Sequence, residues 1–220
     1  MANENQSPTP KMPLAIVLFT LAYLLPAIAA AVWTRNGEFI FYSAVMVILA
    51  GIVIAVHRSS DLSQPVLWGL SMWGLAHMLG GLVPIPESWP SNGPVRVVYS
   101  WWLIPNLLKY DQLVHAFGFG VTTFVCWHGF AAVVRSIDPG RRLLPTLGVL
   151  VLCMAASTGF GALNEVIEFT ATLLIPKTNV GGYENTGWDL VSNLVGAVLA
   201  ACSIRWSFGP ARSTAQPSTD

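Results

Sequence analysis

The sequence predicts an all-α fold: a polytopic membrane protein built as a bundle of six transmembrane helices. Of its 220 residues, 54% are apolar and only 10% are charged, and the mean hydropathy is +0.59. A soluble domain carries roughly a quarter charged residues, so the composition excludes that class. The net charge is zero and the basic residues are scattered, which predicts the lipid bilayer, and no nucleic acid, as a partner.

Six apolar runs give the predicted helices, because a helix that crosses a bilayer needs about 20 mostly apolar residues. The runs cover residues 12–33, 38–56, 66–83, 111–134, 143–175 and 188–206. The fifth run is too long for one straight crossing, so it predicts either a projection beyond the bilayer or a bend near Gly159 and Gly161. We therefore expect a single membrane domain over residues 12–206, between disordered tails at 1–11 and 207–220.

The basic residues predict the orientation, because cytoplasmic loops of membrane proteins carry an excess of Lys and Arg. If the N-terminus is cytoplasmic, seven basic residues lie inside: Lys11, Arg58, Arg135, Arg141, Arg142, Arg205 and Arg212. Four lie outside: Arg35, Arg96, Lys109 and Lys177. Both termini are therefore predicted to be cytoplasmic, in the inner (cytoplasmic) membrane, with residues 84–110 as an outer loop. Within this loop, VVYSWWLIPNLL predicts an interfacial segment anchored by Trp101 and Trp102.

Polar and small residues recur at helical spacing on four of the predicted helices. The fourth, fifth and sixth helices each carry four such residues at intervals of four, three and four: Asp111, His115, Gly118, Thr122; Gly161, Glu165, Glu168, Thr172; and Asp189, Asn193, Gly196, Ala200. The third helix carries Gly74, His77 and Gly81. This spacing puts each set on one helix face, and its small residues let helix backbones approach closely. The polar side chains of the four faces are therefore predicted to meet.

The predicted topology puts seven of these polar groups in the outer half of the membrane, because helices four and six begin outside and helices three and five end there. The seven are His77, Asp111, His115, Glu165, Glu168, Asp189 and Asn193. An unpaired charge in the bilayer costs about 2.5 kcal/mol or more, so the cluster predicts a functional site. Two further histidines receive no role: His57, in a predicted loop, and His128, near the inner end of the fourth helix.

Structural roles compete with this interpretation. Asp111 and Asp189 also fit as helix N-caps or first-turn acids. A lone intramembrane histidine such as His77 also fits as a hydrogen-bonded packing residue. Neither explanation covers His115 one turn deeper, nor the two adjacent carboxylates of the fifth helix, one of which must be protonated or bridged by a cation.

Imidazole nitrogens and carboxylate oxygens together are the ligand set of divalent cations such as Zn²⁺, Mn²⁺ or Fe²⁺. The predicted metal ligands are His77, His115, Glu165, Glu168 and Asp189. The predicted catalytic carboxylates are Glu165, Glu168, Asp189 and Asp111, because a bound cation activates water and a spare carboxylate serves as general base. The predicted function is a metal-dependent hydrolase or transferase that acts on a lipid or lipid-linked envelope substrate. Phosphate contacts in the outer loops are limited to Arg96, Lys109 and Lys177.

Two other classes of function fit the same residues. In a proton- or ion-coupled carrier of lipids or small molecules, Asp111, His115 and the two glutamates form a relay. In a structural membrane protein, the polar core orients the helices through interhelical bonds worth about 1 kcal/mol each.

Three segments also carry a family resemblance. YDQLVHAFGF, NEVIEF and WDLVSNLVGA, in this order on consecutive helices, resemble the VanZ-like superfamily and, more closely, the YjdF-like inner-membrane proteins. The resemblance implies a role at the cell envelope and carries the family positions over to six residues: Asp111, His115, Glu165, Glu168, Asp189 and Asn193. The chain departs from the VanZ-like pattern, which has Gln at the position of Glu168. It also departs from the YjdF-like pattern, whose further acid before the tryptophan corresponds to Glu184 or Thr186. Asn193 and Thr186 are predicted to orient the site.

Overall fold

The computed structural model describes residues 9–93 and 95–208. The predicted tails, residues 1–11 and 207–220, lie almost wholly outside these described residues. Six α-helices make up most of the described chain, which confirms the all-α class. They are α1 (Leu14–Trp33), α2 (Gly37–Ser60), α3 (Gln64–Leu82), α4 (Tyr110–Ile137), α5 (Leu147–Leu174) and α6 (Tyr183–Ser207).

Five of the six helices are long and apolar enough to cross a membrane, and α3 is the helix outside this set. The sequence of α3 includes Gln64, His77 and two tryptophans among its 19 residues, which lowers its mean hydropathy. Composition therefore supports a multi-pass membrane protein with five candidate spans, one fewer than predicted.

Two helix ends differ from the prediction because polar turns continue the helices beyond their apolar runs. Helix α6 begins at Tyr183, five residues before the predicted start at 188, so its first turn contains the polar sequence Glu-Asn-Thr. Helix α2 continues to Ser60, so the prediction of a loop at His57 is wrong: this histidine is buried in the last turn, where Nε2 lies 3.4 Å from the carbonyl oxygen of Lys11.

Helix α5 begins at Leu147, after a cap in which the Thr146 hydroxyl accepts a hydrogen bond from the amide of Val149. It then runs uninterrupted for 28 residues. At 1.5 Å per residue its length is about 42 Å, which exceeds the hydrocarbon thickness of roughly 30 Å. The carboxyl end of α5 therefore extends past the apolar layer if the helix stands upright.

Helices α4, α5 and α6 pack against one another, and α3 packs against α4 and α1. The α4–α6 contact is the most extensive, because glycines bring the two backbones together. A Cβ atom placed on Gly196 of α6 would overlap the backbone of Ala116 on α4. One on Gly161 of α5 would meet the side chain of Asn193. These glycines therefore make room at the helix crossings, as small residues do in membrane bundles.

The two ends of the α4–α5–α6 bundle differ in polarity. At one end an apolar cluster is formed by Trp127, Leu150, Cys153, Ala201 and Ile204. The opposite end holds the polar residues of the site described below. Beside that end, Leu24, Ala27, Ala31, Phe39 and Met78 form a second apolar cluster between α1, α2 and α3.

The segment between α3 and α4 is folded rather than extended. It contains a 3-10 turn (Val98–Ser100) and an antiparallel hairpin of β1 (Trp102–Ile104) and β2 (Leu108–Lys109). Arg96 holds the segment together through bonds to the carbonyl oxygens of Pro86, Glu87 and Trp89 and to the Ser91 hydroxyl, at 2.6–2.9 Å. Tyr99 of the segment contacts His77, so the segment lies against the polar end of the bundle. The interfacial role of Trp101 and Trp102 stays a prediction.

Candidate functional site

His115 lies at the centre of a buried polar cluster between α4, α5 and α6, with 2% of its surface exposed. Its Nδ1 lies 3.1 Å from Oδ1 of Asn193, and its Nε2 lies 3.6 Å from Oδ1 of Asp111, one turn earlier on α4. An imidazole that donates its Nδ1 proton to the Asn193 oxygen keeps the lone pair on Nε2. With Nδ1 engaged by Asn193, Nε2 on the side of Asp111 is the ring nitrogen placed to bind a metal ion.

Asn185 joins the two aspartates of the cluster. Its side-chain amide donates to Oδ2 of Asp189 at 2.6 Å and lies 3.4 Å from Oδ2 of Asp111. Its carbonyl oxygen accepts a hydrogen bond from Lys109 Nζ at 2.7 Å. Both Oδ2 atoms are thereby held by one residue, and the Oδ1 atoms are left for other partners.

The two glutamates of α5 complete the cluster. Oε1 of Glu165 lies 3.8 Å from Nδ1 of His115, which is beyond hydrogen-bond distance. Glu168, one turn later, accepts a hydrogen bond from the Asn164 amide at 3.0 Å through its Oε1. Glu165 thus approaches the imidazole, while Glu168 is oriented by a neighbour on its own helix.

Three buried atoms of the cluster have no hydrogen-bond partner among the described residues. They are Glu165 Oε1, Asp189 Oδ1 and Asn193 Nδ2. Asp189 is 1% exposed and the Glu165 side chain 9%. A buried polar atom without a partner costs about 1–3 kcal/mol, and more when it is charged. The arrangement therefore points to a ligand at the two carboxylate oxygens.

Two overlapping groups of side chains have the geometry of a metal site. The first consists of Asp111, His115 and Asp189; the second, of His115, Glu165 and Glu168. Within each group the potential ligand atoms lie within 4.8 Å of one another. The spacing and the nitrogen and oxygen donors suit a divalent cation such as Zn²⁺ or Mn²⁺.

His77, which the sequence predicts as a metal ligand, lies at the edge of the cluster and in neither group. Its ring is 6.4 Å from the His115 ring between centroids, and its Nδ1 is hydrogen-bonded to the hydroxyl of Tyr99. Burial raises the pKa of Tyr99 well above its usual value, so the hydroxyl keeps its proton. The structure therefore pairs His77 with the 84–110 segment.

The structure distinguishes between the alternatives for the two aspartates. Asp111 lies in the first turn of α4, where an acid is favoured by the helix dipole. Asp189 lies in the second turn of α6 because the helix begins at Tyr183, so N-capping does not explain it. Thr186, predicted to orient the site, is half-buried and lies about two turns before Asn193 on α6.

A cavity of about 90 Å³ adjoins the cluster between α2, α3, α4 and α5. Asp111 and Glu168 belong both to the cluster and to the cavity wall. The remaining polar lining comes from Glu38, Tyr42, His77, Tyr99, Asn164, Asn179 and Asn185. A group bound in the cavity would therefore meet the two carboxylates that also belong to the candidate ligand groups.

Several residues of the site were not identified from the sequence. Asn185 fell before the predicted start of α6, and Asn164 and Tyr42 carry no charge that would mark them in an apolar run. Glu38 also lines the cavity. Both of its carboxylate oxygens accept a hydrogen bond from the backbone amide of Asn179, at 2.9 and 3.0 Å. That contact joins residues 141 positions apart in the sequence, so helical periodicity carries no signal for it.

The helices and the cluster together define a multi-pass membrane protein with a buried group of histidine and carboxylate side chains. The sequence profile of the DUF2238 family, described as a predicted membrane protein, matches residues 14–208, and the chain belongs to this family. No curated protein and no solved structure matches the chain.

Proposed function

We propose that the cluster binds a divalent cation between Asp111, His115 and Asp189 and uses it to hydrolyse a lipid or lipid-linked substrate. The observation that carries this proposal is Oδ1 of Asp189, a buried carboxylate oxygen with no hydrogen-bond partner among the described residues. It belongs to a group whose ligand atoms lie within 4.8 Å of one another. A cation there satisfies the oxygen and offsets the repulsion between the aspartates.

The neighbouring amides support this choice of ligands. Metal-binding histidines usually donate their second ring N–H to an oxygen, and His115 has Asn193 Oδ1 in that position. The Asn185 side-chain amide likewise contacts the Oδ2 atoms of Asp111 and Asp189, which leaves their Oδ1 atoms for the cation. The three ligand atoms are thus oriented before a cation arrives.

The chemistry follows from the ligand set and the cavity. Three protein ligands leave coordination positions for water or substrate, and Zn²⁺, Mn²⁺ or Fe²⁺ supplies a Lewis acid that activates water. Glu168 lines the cavity, and the Asn164 bond to its Oε1 leaves Oε2 as a general base. The hydroxyl of the attacking water joins the electrophilic centre of the substrate, and the proton taken by Glu168 passes to the leaving group. With an alcohol in place of water, the same residues perform a transfer.

We also propose six membrane crossings with both termini in the cytoplasm. The start of α3 packs beside the start of α1 through Val66, Leu67 and Ile16. The end of α3 packs beside the start of α2, where Gly81 contacts Phe39. Helix α3 therefore covers the same depth as its neighbours. Six crossings leave seven basic residues on the side of the termini and four on the other side. This distribution supports an outer-leaflet position for the cluster.

The resemblance to VanZ-like and YjdF-like proteins supports the cell envelope as the location of this activity. The positions that carry the resemblance include all three proposed ligands, Asp111, His115 and Asp189. We propose that the protein acts on the envelope side of the inner membrane, as a single membrane domain over residues 12–206 between terminal tails.

A second candidate function is a proton- or ion-coupled carrier. Its support is the position of His115, whose Nε2 lies 3.6 Å from Asp111 Oδ1 and whose Nδ1 lies 3.8 Å from Glu165 Oε1. Titratable groups at this spacing can pass a proton from one to the next. A carrier of this kind requires no bound metal, which separates it from the hydrolase.

The proposal is tested by elemental analysis of the full chain, purified in nanodiscs without chelator. Wild type is expected to contain a stoichiometric divalent cation. The substitutions His115→Ala and Asp189→Asn remove it, while Glu168→Gln and the control His128→Ala retain it. A wild-type protein without metal rules out the proposed hydrolase and favours the carrier. Loss of metal from Glu168→Gln but not from Asp189→Asn moves the cation to the group on α5.

A further inference from the structure

The cavity beside the cluster has one polar and one apolar part. Its wall on α2 is formed by residues of one helix face: Glu38, Phe39, Tyr42, Val45, Met46 and Leu49. From Glu38 to Leu49 this face extends about 16 Å along the helix axis. Ile167 faces it from α5, one residue before Glu168. The cavity therefore offers acids and hydroxyls near the start of α2 and aliphatic side chains deeper along it.

The charge of the polar part is one-sided. Glu38, Asp111 and Glu168 line it, and no Lys or Arg is found in its wall among the described residues. Two basic residues of the 84–110 segment have other partners: Arg96 binds the carbonyl oxygens of its own segment, and Lys109 binds Asn185 and lies 5.5 Å from the centroid of the Trp102 ring. A phosphate or sulfate in the cavity would therefore have no basic side chain to bind it.

Aromatic residues complete the polar part. Tyr42, Trp73 and Tyr99 line the cavity beside the three acids. Acidic residues and aromatic rings together are the surroundings that bind ammonium groups, through charge attraction and cation–π contacts. A cation bound by Asp111 neutralises part of the charge, and Glu38 and Glu168 remain to attract a positively charged ligand.

Residues 179–181 form a roof over the polar part of the cavity, where the backbone amide of Asn179 donates to the Glu38 carboxylate. The aliphatic lining from α2 and α5 is the part of the wall that suits an alkyl chain.

We propose that this cavity binds an amphiphile with a single cationic ammonium headgroup, held by Glu38 and the aromatic rings, with its alkyl chain along Val45, Leu49 and Ile167. The assignment rests on the proposed function, because the headgroup lies beside Asp111 and Glu168, and it names the substrate class as ammonium-bearing and not phosphate-bearing.

The test compares two probes of equal chain length, dodecyltrimethylammonium and dodecyl phosphate, for binding to the full chain in zwitterionic nanodiscs, with empty nanodiscs subtracted. We expect saturable binding of the ammonium probe and none of the phosphate probe. Glu38→Gln should weaken ammonium binding about tenfold or more, because the attraction between the carboxylate and the quaternary ammonium is lost. Glu87→Gln, an exposed acid of the 84–110 segment, is the matched control and should bind as wild type does.

A second variant keeps the test independent of the roof contact of Glu38. Leu49→Trp fills the aliphatic part and should weaken binding of the ammonium probe while every acid stays in place. Equal binding of the two probes, or undiminished ammonium binding by both variants, overturns the assignment. Metal content measured on the same samples separates the two proposals. Ammonium binding without metal removes the hydrolase alone, and metal without ammonium binding removes the substrate class alone.

Discussion

Nδ1 of His115 lies 3.1 Å from Oδ1 of Asn193, across the α4–α6 crossing, the most extensive helix contact among the described residues. The contact is possible because Gly196, one turn after Asn193, lets α6 approach the backbone of Ala116 on α4. Packing by small residues and orientation of the imidazole thus depend on the same pair of helices. Loss of the close approach would disturb the candidate site as well as the fold.

The first prediction concerns that approach. Gly196→Ala should destabilise the protein by about 1–3 kcal/mol, because the added Cβ overlaps the Ala116 backbone, which cannot rotate away. Gly129→Ala on α4 is the matched control: nothing lies within 4 Å of its added Cβ. That change should stabilise the helix by about 0.5–1 kcal/mol. Thermal unfolding in nanodiscs measures both, and equal effects of the two substitutions would contradict the packing.

The second prediction concerns Asn185, which positions both aspartates. Asn185→Ala should lower metal affinity about 10–100-fold without changing the number of metal ions bound at saturation, as expected for a residue that orients ligands. Titration of chelator-treated protein with Zn²⁺ or Mn²⁺ gives both quantities. Ser192→Ala on the exposed side of α6 serves as control, since its hydroxyl bonds only to the Trp188 carbonyl among the described residues. An unchanged affinity would show that Asn185 has no positioning role.

The sequence predicts the part of the site that helical periodicity determines. Asp111 and His115 are one turn apart, as are Asp189 and Asn193, so any helix through them puts each pair on one face. Contacts between distant segments leave no such pattern. Tyr99 comes to His77 from a folded hairpin region, and Asn179 comes to Glu38 across most of the chain. The predicted start of α6 is wrong because hydropathy reports apolar length, whereas residues 183–187 form a polar turn in which Asn185 bonds to Lys109 and Asp189.

The third prediction concerns topology. Single cysteines introduced at Asp138, Glu87 and Lys177 into a cysteine-free protein should react differently with a membrane-impermeant maleimide applied to intact cells. Positions 87 and 177 should be labelled, while position 138 is labelled only after lysis. Labelling of position 138 from outside would put the cluster at the cytoplasmic leaflet. The ligand geometry would survive that result, but the proposed envelope substrate would not.

The last prediction separates a working metal site from a structural polar core. A ligand that binds the folded state stabilises it by about 2.7 kcal/mol when its concentration is 100 times its Kd. For a protein of this size, that corresponds to a rise in Tm of roughly 5–10 °C. Wild type should show this rise when Zn²⁺ or Mn²⁺ is added after chelation, and Asp111→Asn and Asp189→Asn should not.

The same experiment yields a second comparison in the absence of metal. Because buried carboxylates are costly without a partner, chelated Asp189→Asn should be at least as stable as chelated wild type. The double variant Asp111→Asn/Asp189→Asn should lose no more metal-dependent stabilisation than either single variant, since both residues serve one cation. A structural core predicts the opposite pattern: no effect of metal on wild type, and separate, additive losses of stability from each substitution. That pattern would remove both the metal site and the hydrolase.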